Sequence, residues 1–263
     1  MPKQHGAWAM LAVPVAVGAV LTGPDVRHAL LLVTWLVAYL AFHAAGLWLK
    51  ASRRPRYLPP VRAYGALTGI LGVALVASAP SLLWWAPAYG VLLAASLVCS
   101  HRRADRSWLN DGVTVVAAML MTVVAAGLGA AGPLPGADDP RAWAATGLLA
   151  AYFLGTVPYV KSLIRDRDDP RVLAVSVVFH AVLLVGAVAG VVLAAVPGTD
   201  GESGVGGLGL DLGGAVLLVA VAAALLARAV LVPRRRPWPS AKAIGLGETA
   251  ATVVVMAVVL AVV

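Results

Sequence analysis

Lys161 and Arg165 stand four residues apart in "PYVKSLIRDRDDPR" (158–171), a stretch that sets one Lys, three Arg and three Asp between two long apolar runs. On a helix, positions i and i+4 share a face, so the two cations meet and repel unless an anion bridges them. Pro158 removes one backbone hydrogen bond just before them and leaves the Leu154 carbonyl free, which would kink the helix end and open room for a ligand. A plainer reading has Lys161 snorkelling to lipid headgroups and Arg165 lying in a charged loop. If the helix ran on, Arg165 and Asp169 would also be i,i+4, with Pro170 opening the next helix.

Other ionisable groups lie inside apolar runs, where they are costly and face a bundle interior or a wet cavity. His43 is ~10 Å and His180 ~13 Å from the nearer end of its run, at 1.5 Å per residue. Either could move a proton, or be a core histidine bonded to a backbone carbonyl. Asn110 and Asp111 open an apolar run, where Asp111 could face a ligand or cap exposed N–H groups. "AIGLGETAAT" starts its helix at or before Ala243, so Glu248 lies within the helix and needs a partner. With His5 at the head of the chain, the expectation is that His5, Lys161, Arg165 and Glu248 converge at one end of one cavity, Glu248 within ion-pair reach of Lys161 or Arg165. His43, Asp111 and His180 complete the ligand-binding candidates.

What must position these groups is set by composition. The chain has 263 residues, 61% hydrophobic and 12% charged, and its mean hydropathy is +0.89. A soluble domain carries about a quarter charged residues. Apolar stretches of about twenty residues recur throughout, each able to cross a ~30 Å hydrocarbon core as a helix. The fold class is all-α: a polytopic transmembrane bundle and a single integral membrane domain over residues 1–263. Nine spans are read at about 7–23, 29–49, 63–79, 82–99, 112–132, 142–164, 172–196, 212–232 and 244–263. Spans three and four are separated only by "ASAPSLLWWAP", where Pro80 ends a helix and Trp84 and Trp85 suit an interfacial anchor. Ala, Val and Gly richness suits close helix packing.

Charge orients the bundle. With the N-terminus in the cytoplasm, 18 of the 20 basic residues fall inside: Lys3, five in Lys50–Arg62, Arg102, Arg103, Arg106, Lys161, Arg165, Arg167, Arg171, Arg228, Arg234–Arg236 and Lys242. Only Arg27 and Arg141 fall outside, with the acids Asp25, Asp138, Asp139, Asp200, Glu202 and Asp211. This is the positive-inside pattern, and it places the C-terminus outside. The net charge of +8 is therefore a topology signal and not one for nucleic acid; the basic loops attract anionic membrane lipid. Cys99 is the one cysteine, so neither a disulfide nor a CxxC site is available, and it reads as apolar filling at a helix end. "MPKQHGAW" lacks a signal-peptide n-region. "PGTDGESGVGGLGLDLGG" reads as a flexible outer connector.

"KQHGAWAMLAVPVAVGAVLTG", "YFLGTVPYVKSLIRDR" and "KAIGLGETAAT" resemble the YwiC-like family of bacterial membrane proteins, which implies a bacterial cytoplasmic membrane and no particular reaction. Nine spans with an inward N-terminus, Pro14 and Gly18 in span one, "RRPRYLPPVRAYG" after span two and "IRDRDDPRVLAVSVVFHA" after span six are distantly similar to the UbiA-type prenyltransferase superfamily. Those enzymes bind an isoprenoid diphosphate through Mg²⁺ at two Asp-rich motifs after spans two and six. The resemblance implies Asp166 and Asp169 as metal ligands, with Asp168 beside them. The counterpart of the first motif, "AFHAAGLWLKASRRPR", has no carboxylate, and none occurs between Asp25 and Asp105. A diphosphate held by two Mg²⁺ needs hard oxygen ligands on both sides.

The reading that follows is a cytoplasm-facing polar cavity for an anionic or amphipathic ligand, lipid- or isoprenoid-like, without standard two-metal prenyl transfer. The alternatives are a divergent prenyl- or lipid-modifying transferase, a small-anion transporter with Glu248 coupled to protons, and a structural partner in a membrane complex.

Overall fold

The computed structural model describes residues 5–195 and 211–263. Their long elements are helices: α1 (His5–Thr22), α2 (Val26–Lys50), α3 (Leu58–Ser78), α4 (Ala86–His101), α5 (Trp108–Ala126), α6 (Pro140–Ile164), α7 (Pro170–Ala194), α8 (Leu212–Leu231) and α9 (Ala241–Val262). Short 3₁₀ turns at Pro55–Tyr57, Pro80–Trp85 and Val232–Arg234 adjoin α3, α4 and α8. With these turns, eight stretches are long and apolar enough to cross a membrane, and Trp8–Thr22 of α1 is apolar but shorter. The chain is a multi-pass, all-α membrane protein. Pro55–Ser78 and Pro80–His101 are both among the eight, so the weakly separated third and fourth spans are two full helices.

Side-chain caps start several helices, each supplying an acceptor for an amide that the first turn leaves bare. Asp25 and His28 form a capping box on α2. The Arg27 amide, above all, holds the Asp25 carboxyl below its usual range. Asp169 accepts from the Arg171 amide at 2.9 Å, Asp211 from Gly214 at 2.7 Å and Ser240 from Ala243 at 3.2 Å. On α5 the cap is Ser107, accepting from the Asn110 amide at 3.2 Å. This corrects the expected start at 112: Asp111 lies within the first turn and is not the cap. The helix also ends earlier than expected, at Gly127, before a loop turned by Gly129, Gly132 and Gly136 with φ of +92°, +102° and +84°.

The helices gather into two compact units, Met10–Thr146 and residues 147–263 with the start of α1. In Met10–Thr146, α5 is the enclosed helix, burying Val115, Ala118, Met119, Thr122, Val123 and Ala125. Gly18 of α1 lies against it so closely that a Cβ there would sit 2.7 Å from Ala125 Cβ and 2.9 Å from the Ala126 amide nitrogen. His28 bonds the Ala125 carbonyl at 3.0 Å. Trp85 is buried and donates to the Pro135 carbonyl at 3.1 Å. The expected interfacial tryptophan pair therefore splits, with Trp84 alone exposed. Close glycine packing is local: Gly65, Gly69 and Gly72 of α3 face open space.

In the second unit, α7 and α8 pack along one another. The α8–α9 connection is pinned to the end of α6, where Trp238 Nε1 donates to the Leu163 carbonyl at 3.0 Å over a cluster of Tyr159, Leu163, Ala229 and Ile244. α6 continues through Pro158 and stops at Ile164. Arg165 therefore lies beyond the helix, and the condition for a helical i,i+4 pair of Arg165 with Asp169, that the helix runs on, is not met.

Candidate anion-binding site

Four helices of the second unit bring polar side chains to one end of their bundle. On α6, Tyr152, Thr156 and Tyr159 share a face by their spacing. On α9, Glu248 and Thr252 are successive turns of one buried stripe that continues through Val255 and Val259. Tyr152 joins the two helices: its hydroxyl lies 2.9 Å from Thr252 Oγ1 and donates to the Glu248 carbonyl at 3.3 Å. Thr252 Oγ1 donates to the same carbonyl at 2.7 Å.

At the centre is an ion pair between α8 and α9. Arg228 of α8 donates Nη1–H to Glu248 Oε1, with side-chain exposures of only 15% and 8%. The guanidinium carbon lies 4.2 Å from the centre of the Tyr159 ring, a cation–π contact that strengthens when desolvated. His180 of α7, 1% exposed, stands edge-on to Tyr159 with its Nδ1 at 2.7 Å from the Ser176 carbonyl. It thus has the backbone-carbonyl bond of a core histidine and also borders the pair's aromatic wall.

The pair is incompletely satisfied. Arg228 Nε and Nη2, Glu248 Oε2 and Ser176 Oγ are buried with no hydrogen-bond partner among the described residues. Nε and Nη2 lie on the same edge of the guanidinium and form its side-on fork, which matches carboxylate or phosphate oxygens bidentately. Glu248 occupies the other nitrogen and leaves the two atoms of that fork buried and without a partner among the described residues.

The first unit holds a second polar cluster. Lys50 Nζ, at the end of α2, pairs with Asp105 Oδ2 at 2.8 Å. Asn110 accepts from Ser96 Oγ at 2.6 Å and donates to the Asp105 carbonyl at 2.8 Å. Burial pushes the Asp105 carboxyl up, but the Lys50 and Ser100 hydrogen bonds outweigh it and hold the group below its usual range.

Two relatives and one family bear on this chain. The family described as YwiC-like protein matches residues 1–126. "Uncharacterized protein YwiC" of Bacillus subtilis (strain 168) is 33% identical over 169 residues, 64% of this chain and 69% of that protein. The chain belongs to the YwiC-like family. An "Uncharacterized protein" of Haemophilus influenzae is 27% identical over 179 residues, 68% of this chain and 73% of that protein. No solved structure matches. The family match ends at the last residue of α5, so it includes the Lys50–Asp105–Asn110 cluster and excludes Arg228 and Glu248.

The residues expected to bind a ligand in this YwiC-like chain divide. His180 and Glu248 are both buried at the Arg228–Tyr159 cluster. Glu248 has Arg228 as its ion-pair partner, correcting the expected pairing with Lys161 or Arg165. Lys161 is half-buried on α6, and Arg165 is exposed in the turn that follows. His43 and Asp111 belong to the first unit. The His43 ring stacks on Tyr39 with centroids 6.5 Å apart, and Asp111 is half-buried on α5. The His5 side chain lies outside the described residues. The signal for Arg228 was Glu248 itself, an embedded acid whose partner could be sought on the helix paired with it in a hairpin.

The loop suggested for Mg²⁺ does not make a cation cage. Asp169 spends its carboxylate on capping α7, and Asp168 is 95% exposed with Arg167 Nε at 3.8 Å. Asp166 is half-buried, its amide donating to the Lys161 carbonyl at 2.8 Å. Among the described residues, no three His, Cys, Asp or Glu side chains gather as ligands. The donor set does not fit a hard divalent ion, which prefers six or more oxygens.

Proposed function

We propose that this membrane protein binds the charged head of an anionic or amphipathic, lipid- or isoprenoid-like molecule at the α6–α9 cluster, and does so without two-metal prenyl transfer. One observation carries the reading: the buried Nε/Nη2 fork of Arg228, which has no partner among the described residues. A buried guanidinium with unmet donors is costly, and a phosphate or carboxylate meets them in one bidentate contact. Glu248 then serves as the counter-ion when the site is empty. As the anion arrives, the carboxylate can take up a proton or turn aside, while Arg228 stays charged throughout. Tyr159 holds the guanidinium plane, and Tyr152 and Thr252 fix the α6 and α9 backbones around it.

The positive-inside distribution supports a cytoplasmic position for this end of the bundle and an outer C-terminus, and membership of a bacterial family supports the cytoplasmic membrane as its location. The pairing of Glu248 with Arg228 also favours a second reading, transport of a small anion coupled to a proton, because one carboxylate both neutralises the binding cation and can accept a proton. A divergent lipid-modifying transferase remains the alternative with catalysis.

The test uses the full-length protein in detergent with dodecyl phosphate and dodecanol, probes that share a tail and differ in charge. The phosphate should bind at least about tenfold more tightly, with or without a Mg²⁺ chelator. Arg228→Lys, which keeps the charge and loses the fork, should remove most of that preference. Equal binding of the two probes, or a preference untouched in Arg228→Lys, would refute the proposal.

A further inference from the structure

We infer that the first unit carries a separate site for a phosphate group, in a basic cavity between the ends of α2 and α4. The cavity, of about 290 Å³, is lined by Lys50, Ser52, Arg54, Arg56, Tyr57 and Arg103 among others. It is open to solvent and just below the usual size of ligand pockets, ~300–1,000 Å³, which suits a headgroup rather than an acyl chain. The inference is independent of the Arg228 reading and uses none of its residues.

Charge is the first argument. Lys50 is answered by Asp105 at 2.8 Å. Arg54, Arg56 and Arg103 have no carboxylate within ion-pair distance among the described residues. Each helix C-terminus adds about half a negative charge, so α2 and α4 together offset roughly one arginine and leave a surplus of about two positive charges. Arg56 is preoriented: it stacks 4.8 Å over the Tyr57 ring and donates to the Tyr57 hydroxyl at 3.1 Å. The Lys50–Asp105 pair ties the end of α2 to the α4–α5 loop and so fixes the spacing of the two walls.

Backbone geometry is the second argument. Both helices end in the same motif. In α2, Arg53 N–H bonds the Trp48 carbonyl at 2.9 Å and Ser52 N–H the Leu49 carbonyl at 3.1 Å. In α4, Ala104 N–H bonds the Cys99 carbonyl at 2.7 Å and Arg103 N–H the Ser100 carbonyl at 3.1 Å. This Schellman ending requires a left-handed residue, normally Gly. Here the position is taken by Ser52 (φ +54°) and Arg103 (φ +59°), and Arg53 follows at φ +59°. Topology alone asks only for cations somewhere in the loop. It does not ask for an arginine where glycine is the relaxed choice. Strain retained at Ser52 and Arg103, which both line the cavity and can both donate to an oxyanion, points to a site.

The shared chemistry is a phosphate group, which a phospholipid headgroup or a soluble phosphate can present. The experiment is native mass spectrometry of the full-length protein titrated with phosphatidylglycerol or phosphatidylcholine. Wild type should prefer phosphatidylglycerol. Arg54→Gln/Arg56→Gln/Arg103→Gln should lose that preference at least about tenfold. Arg62→Gln/Arg102→Gln/Arg171→Gln removes the same charge outside the cavity and should keep it. Competition by inorganic phosphate would identify a soluble ligand, and its failure a lipid headgroup. Arg103→Gly separates site from fold: its thermal midpoint should rise while phosphatidylglycerol binding weakens. The inference is overturned if the cavity triple variant binds like wild type, if the control triple loses as much, or if Arg103→Gly leaves binding intact.

Discussion

Replacing Glu248 and Arg228 by Gln, singly and together, tests whether the α8–α9 pair holds the second unit together. Their side chains are 8% and 15% exposed, so neither is screened as a surface charge would be. Removing one partner of a buried pair costs ~3–5 kcal/mol, because the other charge is left uncompensated, whereas replacing both with neutral groups of similar volume is often close to neutral. The two single variants should differ. Glu248→Gln leaves a guanidinium that cannot lose its proton, with Nε and Nη2 already lacking partners. Arg228→Gln leaves a carboxyl that can be neutralised by protonation, although it also loses the Tyr159 contact. The expected order of loss is Glu248→Gln, then Arg228→Gln, then the double variant, with a coupling energy of at least ~2 kcal/mol. The assay is denaturant unfolding of the detergent-solubilised protein followed by helical circular dichroism. Single losses below ~1 kcal/mol, the value of a surface pair, or losses that simply add in the double variant, would refute the reasoning.

Three further outcomes are expected. Gly18→Ala should lose ~1–3 kcal/mol by overpacking against α5, while Gly69→Ala on the open face of α3 should gain up to ~1 kcal/mol of helix propensity; both are read from thermal midpoints. Asp105→Asn should destabilise the α2–α5 unit in a pH-dependent way. The Asp105 carboxyl is held below its ordinary value of 3.8, so its contribution is complete above that pH and is lost as pH falls through the lower folded value, and wild-type and variant stabilities should converge in acid. Ala131→Cys, in a Cys99→Ala background, lies in the exposed α5–α6 loop and should be labelled only from outside the cell; labelling only from the cytoplasm would reverse the orientation.

The helices were legible because a hydrocarbon core demands long apolar runs, and those runs dominate this chain. Their ends were less legible. "SWLND" carries its cap at Ser107, but the acidic Asp111 drew the predicted start of α5 to 112 because a carboxylate also suits a first turn. Trp84 and Trp85 looked equivalent as a pair. Only the fold gives Trp85 Nε1 the Pro135 carbonyl, 50 residues away in sequence. Glu248 was legible as an embedded acid needing a base. Arg228 was not, because a cation near a helix end reads as part of the loop that orients the protein.

Reassigning Arg228 tests how far that charge argument reaches. A buried, paired guanidinium says nothing about which side of the membrane its helix end faces, so it must leave the tally. The charge support for the proposed orientation is kept, because Arg234–Arg236 and Lys242 lie at the same end of the α8–α9 hairpin. Depth explains the partner choice. Arg228 is ~5 Å before the end of α8 and Glu248 ~10 Å after the start of α9, at 1.5 Å per residue, a gap that a long arginine side chain can bridge between antiparallel neighbours. Lys161 instead lies in the last turn of α6 and Arg165 just past it, where the Lys161 carbonyl receives the Arg165 and Asp166 amides at 3.1 and 2.8 Å as the chain turns. Arg165 has left the helix before it could face Glu248. In a hairpin of membrane helices, an acid two turns inside one arm is better matched to a base near the adjoining end of the other than to the nearest basic cluster in sequence.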